Sequence, residues 1–304
     1  MKIQTLSIVA GSTECNARCP FCVSKMTCSN GVKSGQPDVN WRNFHKACRL
    51  AQMSGVTTAM ITGKGEPTIF PSQISLFLHE LKKYDFPLVE LQTNGLLFSK
   101  KGSMGLSLDH HVKSWYQDGL SMVAISVVHY SDELNNRIYN PYEQKYPSLS
   151  NTIKYLHEVG FSVRLSCVMV KGYIDSLKSV KGMIEYARDN DVDQLTFTPV
   201  NRTAAKKDDA HWKWANANAL DANDLNEIRY FFDGDSEQNG VAVLMHLLHG
   251  ATICDVNGQN VCYSECLNNW GTRTHARHSE LRNLIFFPDG HLRYDWQYSG
   301  AILL

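Results

Sequence analysis

Apolar residues along this chain recur in two alternating rhythms: short continuous runs that read as strands, and i, i+3, i+4, i+7 spacings that read as one-faced helices. Ile3 to Ala10 is the first run. Asn40 is placed to cap a helix whose Phe44, Ala47, Cys48 and Ala51 share a face; Gly55 ends it, and a strand follows over 56–61. Ile74, Phe77, Leu78 and Leu81 repeat the pattern, and Pro87 stops that helix before a strand over 88–92. Trp115 to Gly119 precedes a strand over 120–125. Leu149, Ile153 and Leu156 precede Gly160 and a strand over 161–170, and Leu177, Val180, Ile184 and Ala187 lead to a strand over 192–198.

Six strands separated by helices must pair in parallel through right-handed crossovers. The pattern therefore predicts an α/β fold, either a partial barrel or an open doubly wound sheet. In both, chemistry sits at the carboxyl ends of the strands. After the sixth strand the rhythm breaks. Asn201 to Asn223 is polar, with His211, Trp212 and Trp214 embedded, and reads as a long loop that could cover the strand ends as a lid or serve as a plain connection. A helix around Leu225, Ile228 and Phe232 follows. Near the end, Pro288-Asp289-Gly290 between two apolar runs predicts a β-hairpin.

With 304 residues, 43% of them hydrophobic, the chain is long enough for one large α/β domain or a domain with an appendage. Lys plus Arg and Asp plus Glu both total 30, so no global basic field draws nucleic acid, which makes it an improbable partner. No segment is long and apolar enough to suggest a membrane span or a secretory signal. Nine cysteines, an odd number, suit a reducing compartment, and a cytoplasmic location is expected.

The densest chemistry is Cys15-Asn16-Ala17-Arg18-Cys19-Pro20-Phe21-Cys22, directly after the first strand. Zinc wants four ligands and usually arrives with paired C-x2-C or histidines, and no His lies near Cys22 before His45. Three cysteines within eight residues also fail a disulfide reading on parity. A thiolate trio instead suits a [4Fe–4S] cluster, which takes four ligands and so keeps one iron open. Strand two runs into Gly63-Lys64-Gly65-Glu66-Pro67, where glycines let a ligand approach the backbone and Glu66 offers an acceptor for a cationic amine. The third strand ends Thr93-Asn94-Gly95 and the fourth carries Ser126. Arg164, among apolar neighbours on the fifth, must be paired, either with a ligand carboxylate or in a structural salt bridge.

The C-x3-C-x2-C spacing after strand one, with a GGEP-like segment one strand later, resembles the radical S-adenosylmethionine (radical SAM) superfamily, in its MoaA-like, SPASM- and twitch-related branch. The resemblance implies a partial (β/α)6 TIM-like barrel over residues 1–235 and a small extension over 236–304, containing the hairpin and closing the barrel. It implies an enzyme whose cluster, on Cys15, Cys19 and Cys22, cleaves SAM to a 5′-deoxyadenosyl radical, with a one-electron donor such as flavodoxin or ferredoxin. Phe21, Gly65, Glu66, Asn94, Ser126 and Arg164 are the residues expected at SAM. The substrate expected first is a peptide, by analogy with hairpin-bearing peptide-modifying members, although the first strand begins so early that no leader-binding domain precedes it. A small metabolite such as a nucleotide or sugar is the alternative, and a redox-sensing iron–sulfur protein without turnover is the alternative class. Cys254, Cys262 and Cys266 with Asp295 form a candidate auxiliary cluster site. However, Asp295 stands where the family places a cysteine, which favours a metal-free extension. Cys48 and Cys167 read as small buried hydrophobes.

Overall fold

The computed structural model describes residues 2–98, 108–139, 146–200, 209–234, 240–247, 250–264 and 280–304. Its centre is the expected series of parallel strands: β1 (Lys2–Val9), β2 (Thr58–Thr62), β3 (Leu88–Thr93), β4 (Met122–Val127), β5 (Ser162–Met169) and β6 (Gln194–Pro199), each hydrogen-bonded to the next. Between them run α1 (Val23–Met26), α2 (Trp41–Met53), α3 (Pro71–Leu81), α4 (Asp109–Gln117), α5 (Asp132–Tyr139), α6 (Leu149–Val159) and α7 (Leu177–Asp189). Asn40 caps α2 by accepting from the Asn43 amide, and Gly160 ends α6 in the left-handed conformation, as the sequence pattern requires. Helix α5 has no counterpart in the sequence reading; Ile138 and Tyr139 are the apolar residues it buries.

Alternation along the strands sorts the two faces of the sheet. On β5, Val163, Leu165, Cys167 and Met169 are fully buried in the helix-covered core, whereas Ser162, Arg164, Ser166 and Val168 are partly exposed on the inner face. Register carries this inner face across the sheet. One row is Gln92, Ala124, Arg164 and Gln194; the next towards the carboxyl ends is Ser126, Ser166, Thr196 and Cys262. A polar inner face beside an apolar outer one is what parallel strands show when they line a barrel rather than the middle of a closed sandwich.

The polar stretch expected as a loop is partly helical. Residues 201–208 lie outside the described residues, but α8 (Ala210–Ala217) follows, capped by Asp209, and then α9 (Ala222–Asp233), capped by Asp221. The alanines of α8 supply helix propensity where an amphipathic pattern is weak.

Residues beyond α9 add strands at both edges of the sheet. β7 (Val241–His246), β8 (Ala251–Val256) and β9 (Gln259–Ser264) form an antiparallel meander whose last strand lies parallel to β6. At the other edge β10 (Glu280–Phe286) lies parallel to β1, and the predicted hairpin turns through Pro288-Asp289-Gly290 into β11 (Leu292–Arg293). The final segment so extends the β1–β6 sheet on both sides. No helix among the described residues is long and apolar enough to cross a membrane.

Candidate functional site

The cysteine loop leaves the carboxyl end of β1 and is tied down from three sides. Ala10 donates to the Thr62 carbonyl at 2.7 Å, the Glu66 amide donates to the Glu14 carbonyl at 2.9 Å, and the Arg18 amide donates to the Tyr139 carbonyl at 2.8 Å. Cys22 opens α1 as its N-terminal flanking residue. Burial pushes the Cys15 thiol up to about 12, with the Glu66 carboxylate adding to the effect. Burial also raises Cys19, and the neighbouring Cys22 and Cys15 sulfurs push the same way. The Cys15 and Cys19 sulfurs thus sit in poorly solvated surroundings, where their deprotonation awaits a positive partner.

Phe21 is buried, packing edge-on against Tyr139 and tilted against Trp214 of α8, both with centroids at 6.2 Å. These aromatics wall the cysteine loop.

Gly65 is needed for a close approach of backbone to backbone. A Cβ there would lie 1.9 Å from the Glu14 carbonyl oxygen, so the glycine seats the loop after β2 directly on the cysteine loop. Glu66 is also used inside the protein. Its Oε1 accepts from the Thr68 amide at 3.1 Å, the Thr68 hydroxyl at 2.6 Å and the Thr93 hydroxyl at 2.7 Å, while Oε2 accepts from the Asn94 amide at 2.9 Å. This carboxylate fastens the end of β2 to the end of β3 and fixes Asn94.

Asn94 faces the trio. Its Nδ2 donates to Asn16 Oδ1 at 2.7 Å and lies 3.8 Å from the Cys15 sulfur, and its Oδ1 accepts from the Leu96 amide at 3.0 Å. Ser126 lies on the inner face one row above Ala124. Arg164 does not reach the strand ends: it pairs with the buried Glu90. Two residues below the Ser126 row is about 7 Å of strand. Of the two partners open to Arg164 from sequence, the structure gives the salt bridge. Lys64, where the family has glycine, is buried with its Nζ donating to Thr27 at 2.6 Å and 5.9 Å from the centre of the Trp296 ring.

Among the described residues, Cys254, Cys262 and Asp295 of the candidate auxiliary site are not brought together. Cys262 pairs with Ile253 and Cys254 with Val261, so opposite neighbours share a face and the two cysteines point to opposite faces of the β8–β9 pair. Cys254 is buried and donates to the Phe232 carbonyl of α9. Asp295, near the β10–β11 edge, accepts from the Gln297 and Tyr298 amides in a turn, and Cys266 lies outside the described residues.

Sequence reasoning missed Asn16 because it stands at an unremarkable position between Cys15 and Cys19. Its Nδ2 is buried with no hydrogen-bond partner. Three partly buried cysteines in one loop and an unmet N–H donor fit a sulfur-rich, electron-rich group. Among the described residues no three Cys, His, Asp or Glu side chains converge on a single ion. A cluster, whose thiolates each bind a separate iron, fits the trio better than zinc does.

A model of the Radical SAM superfamily matches residues 10–187, more than half of the chain. Over 193 residues the chain is 27% identical to the GTP 3',8-cyclase of Staphylococcus epidermidis strain RP62A; the match spans 61% of this chain and 51% of that protein. The GTP 3',8-cyclase of strain ATCC 12228 matches equally. The crystal structure of Streptococcus suis SuiB superposes with a TM-score of 0.57 at 14% identity, over 96% of this chain and 60% of that one.

Proposed function

Because the chain belongs to the radical SAM superfamily, we propose that it is an enzyme holding a [4Fe–4S] cluster on Cys15, Cys19 and Cys22, with SAM on the open iron. When bound, these groups supply a 5′-deoxyadenosyl radical that takes a hydrogen atom from the substrate. The chain's own residues hold and shield. Glu66 and Gly65 fix the loops that carry the trio and Asn94; Phe21, Tyr139 and Trp214 keep water from the sulfurs; and the Glu90–Arg164 pair blocks the inner face below the Ser126 row. The observation that carries this reading is the loop bearing Cys15, Cys19 and Cys22 at the carboxyl end of β1, with Asn94 at the end of β3 bringing its Nδ2 to 3.8 Å from the Cys15 sulfur.

The substrate we propose is a small polar metabolite of the nucleotide or sugar class. The inner face offers Ser126, Ser166, Thr196 and Gln92 as hydrogen-bonding groups, and the curated relatives, which this chain matches over about half their length, are named for GTP. The peptide expectation drew on the hairpin, which here extends the sheet beside β1. A flavodoxin- or ferredoxin-type donor and a reducing cytoplasm complete the proposal.

The test is anaerobic reconstitution with iron and sulfide, followed by dithionite and SAM. The enzyme reading predicts 5′-deoxyadenosine well above a Cys19→Ala control; equal amounts would leave a cluster protein without turnover. Adding nucleotides, sugars and short peptides separately then decides the substrate. Faster 5′-deoxyadenosine formation with nucleotides or sugars supports the metabolite class, and stimulation by peptides alone overturns it.

A further inference from the structure

The asparagine at the second position of the cysteine motif has one side-chain orientation open to it. The Leu96 amide must meet an oxygen, so Asn94 turns Oδ1 towards it and Nδ2 towards Asn16 and Cys15. Asn16 must answer that N–H with its own Oδ1, which leaves Asn16 Nδ2 facing away from Asn94. This second amide is buried, Asn16 being 3% exposed, and its Nδ2 meets no acceptor. A buried N–H left unpaired is costly, so such groups in folded proteins have a partner that arrives with a ligand or an ordered water.

The chain of bonds ends beside the first cysteine of the motif. Glu66 holds the Asn94 backbone, Asn94 holds Asn16, and Asn16 is the residue next to Cys15. Resting on the cluster-binding reading above, we propose that Asn16 Nδ2 donates a hydrogen bond directly to a sulfur of the bound cluster, with Asn94 as the second donor, on Cys15. Together the two amides raise the cluster's reduction potential. Donors to cluster sulfur stabilise the more negative, reduced state, so removing one makes reduction harder. The Glu66 carboxylate lies behind Asn94 and acts on the cluster through it, by fixing the donor.

The experiment uses the reconstituted full-length protein without turnover. Potentiometric titration followed by EPR should show the ratio of reduced to oxidised cluster at a fixed potential falling about threefold to tenfold in Asn16→Ala; tenfold is ~59 mV for a one-electron couple. Iron content should stay at the wild-type level. Asn30→Ala is the control, since Asn30 is another buried asparagine of the following loop with both side-chain polar atoms unpaired. It should leave the potential unchanged. A second measurement needs no variant: wild-type protein labelled with [δ-15N]asparagine should show nitrogen coupling to the reduced cluster in pulsed EPR. An unchanged potential in Asn16→Ala with full iron, or no asparagine coupling in the wild type, overturns the assignment. Loss of all iron from the wild type would instead sink the cluster reading on which it rests.

Discussion

A Cβ on Gly65 would lie 1.9 Å from the carbonyl oxygen of Glu14. That is far inside van der Waals contact, and the atom it meets is backbone, so the cysteine loop itself would have to move. The neighbouring Glu66 to Glu14 hydrogen bond would go with it. Gly65→Ala should therefore cost roughly 1–3 kcal/mol of folding stability, as overpacking does, and cut iron retained after reconstitution several-fold. Urea denaturation and iron assay read the two effects. Full iron retention would show that the close approach does not set the geometry of the trio.

Arg164, partly exposed, pairs with the buried Glu90 on the inner face, and removing Arg164 leaves the Glu90 carboxylate buried with only the Gln92 amide donating to it. Arg164→Met should cost roughly 3–5 kcal/mol, and most of the loss should return in the Glu90→Met/Arg164→Met double variant. The affinity of the double variant for SAM, measured by equilibrium binding to the reconstituted protein, should match the wild type. A weakened SAM affinity in a double variant that folds normally would restore the ligand carboxylate as the partner of Arg164.

How much of this was legible follows from which residues carry periodic signals. The six strands and their carboxyl-end loops were readable because apolar runs and glycine or proline stops repeat, and Cys15, Cys19 and Cys22 announce themselves by spacing. Helix α5, which buries only Ile138 and Tyr139 of its apolar residues, and the β7–β9 meander, with mixed burial along Val241–His246, give no such rhythm. The destination of Arg164 was hidden because its partner lies two strands away, past the small Ala124. What Gly65 and Glu66 meet inside the protein was hidden, because sequence shows which residue lacks a side chain or carries a carboxylate but not what approaches it. Asn16 was invisible for the same reason.

His129 sets a pH dependence of stability. It sits just past the end of β4, 8% exposed, and its Nδ1 accepts from the Ser131 amide at 2.9 Å. Burial lowers its pKa from the ordinary 6.5, against a smaller opposing pull from Asp175. The unfolded chain therefore takes up the proton first as the solution is acidified. The contribution is fully present above 6.5 and is lost as pH falls from there towards the folded value. His129→Asn, which keeps an acceptor near the Nδ1 position, should shrink the drop in melting temperature between neutral and mildly acidic buffers. An identical drop in the variant would place the dependence on another group.

Trp214 closes the aromatic wall over the cysteine loop from α8, with its ring 6.2 Å from that of Phe21. It is partly exposed, so truncation should cost less than the full loss of a buried tryptophan, about 2 kcal/mol. The chemical effect should be larger. Opening the wall lets water and oxygen reach the sulfurs, and a reconstituted Trp214→Ala protein should lose its visible cluster absorbance in air several times faster than the wild type. Trp212→Ala serves as comparison, because Trp212 packs on the core from the same helix without a ring contact to Phe21. Similar decay in both variants would mean that α8 protects the loop by its presence alone, and faster decay in Trp214→Ala alone assigns the shielding to the Phe21 contact.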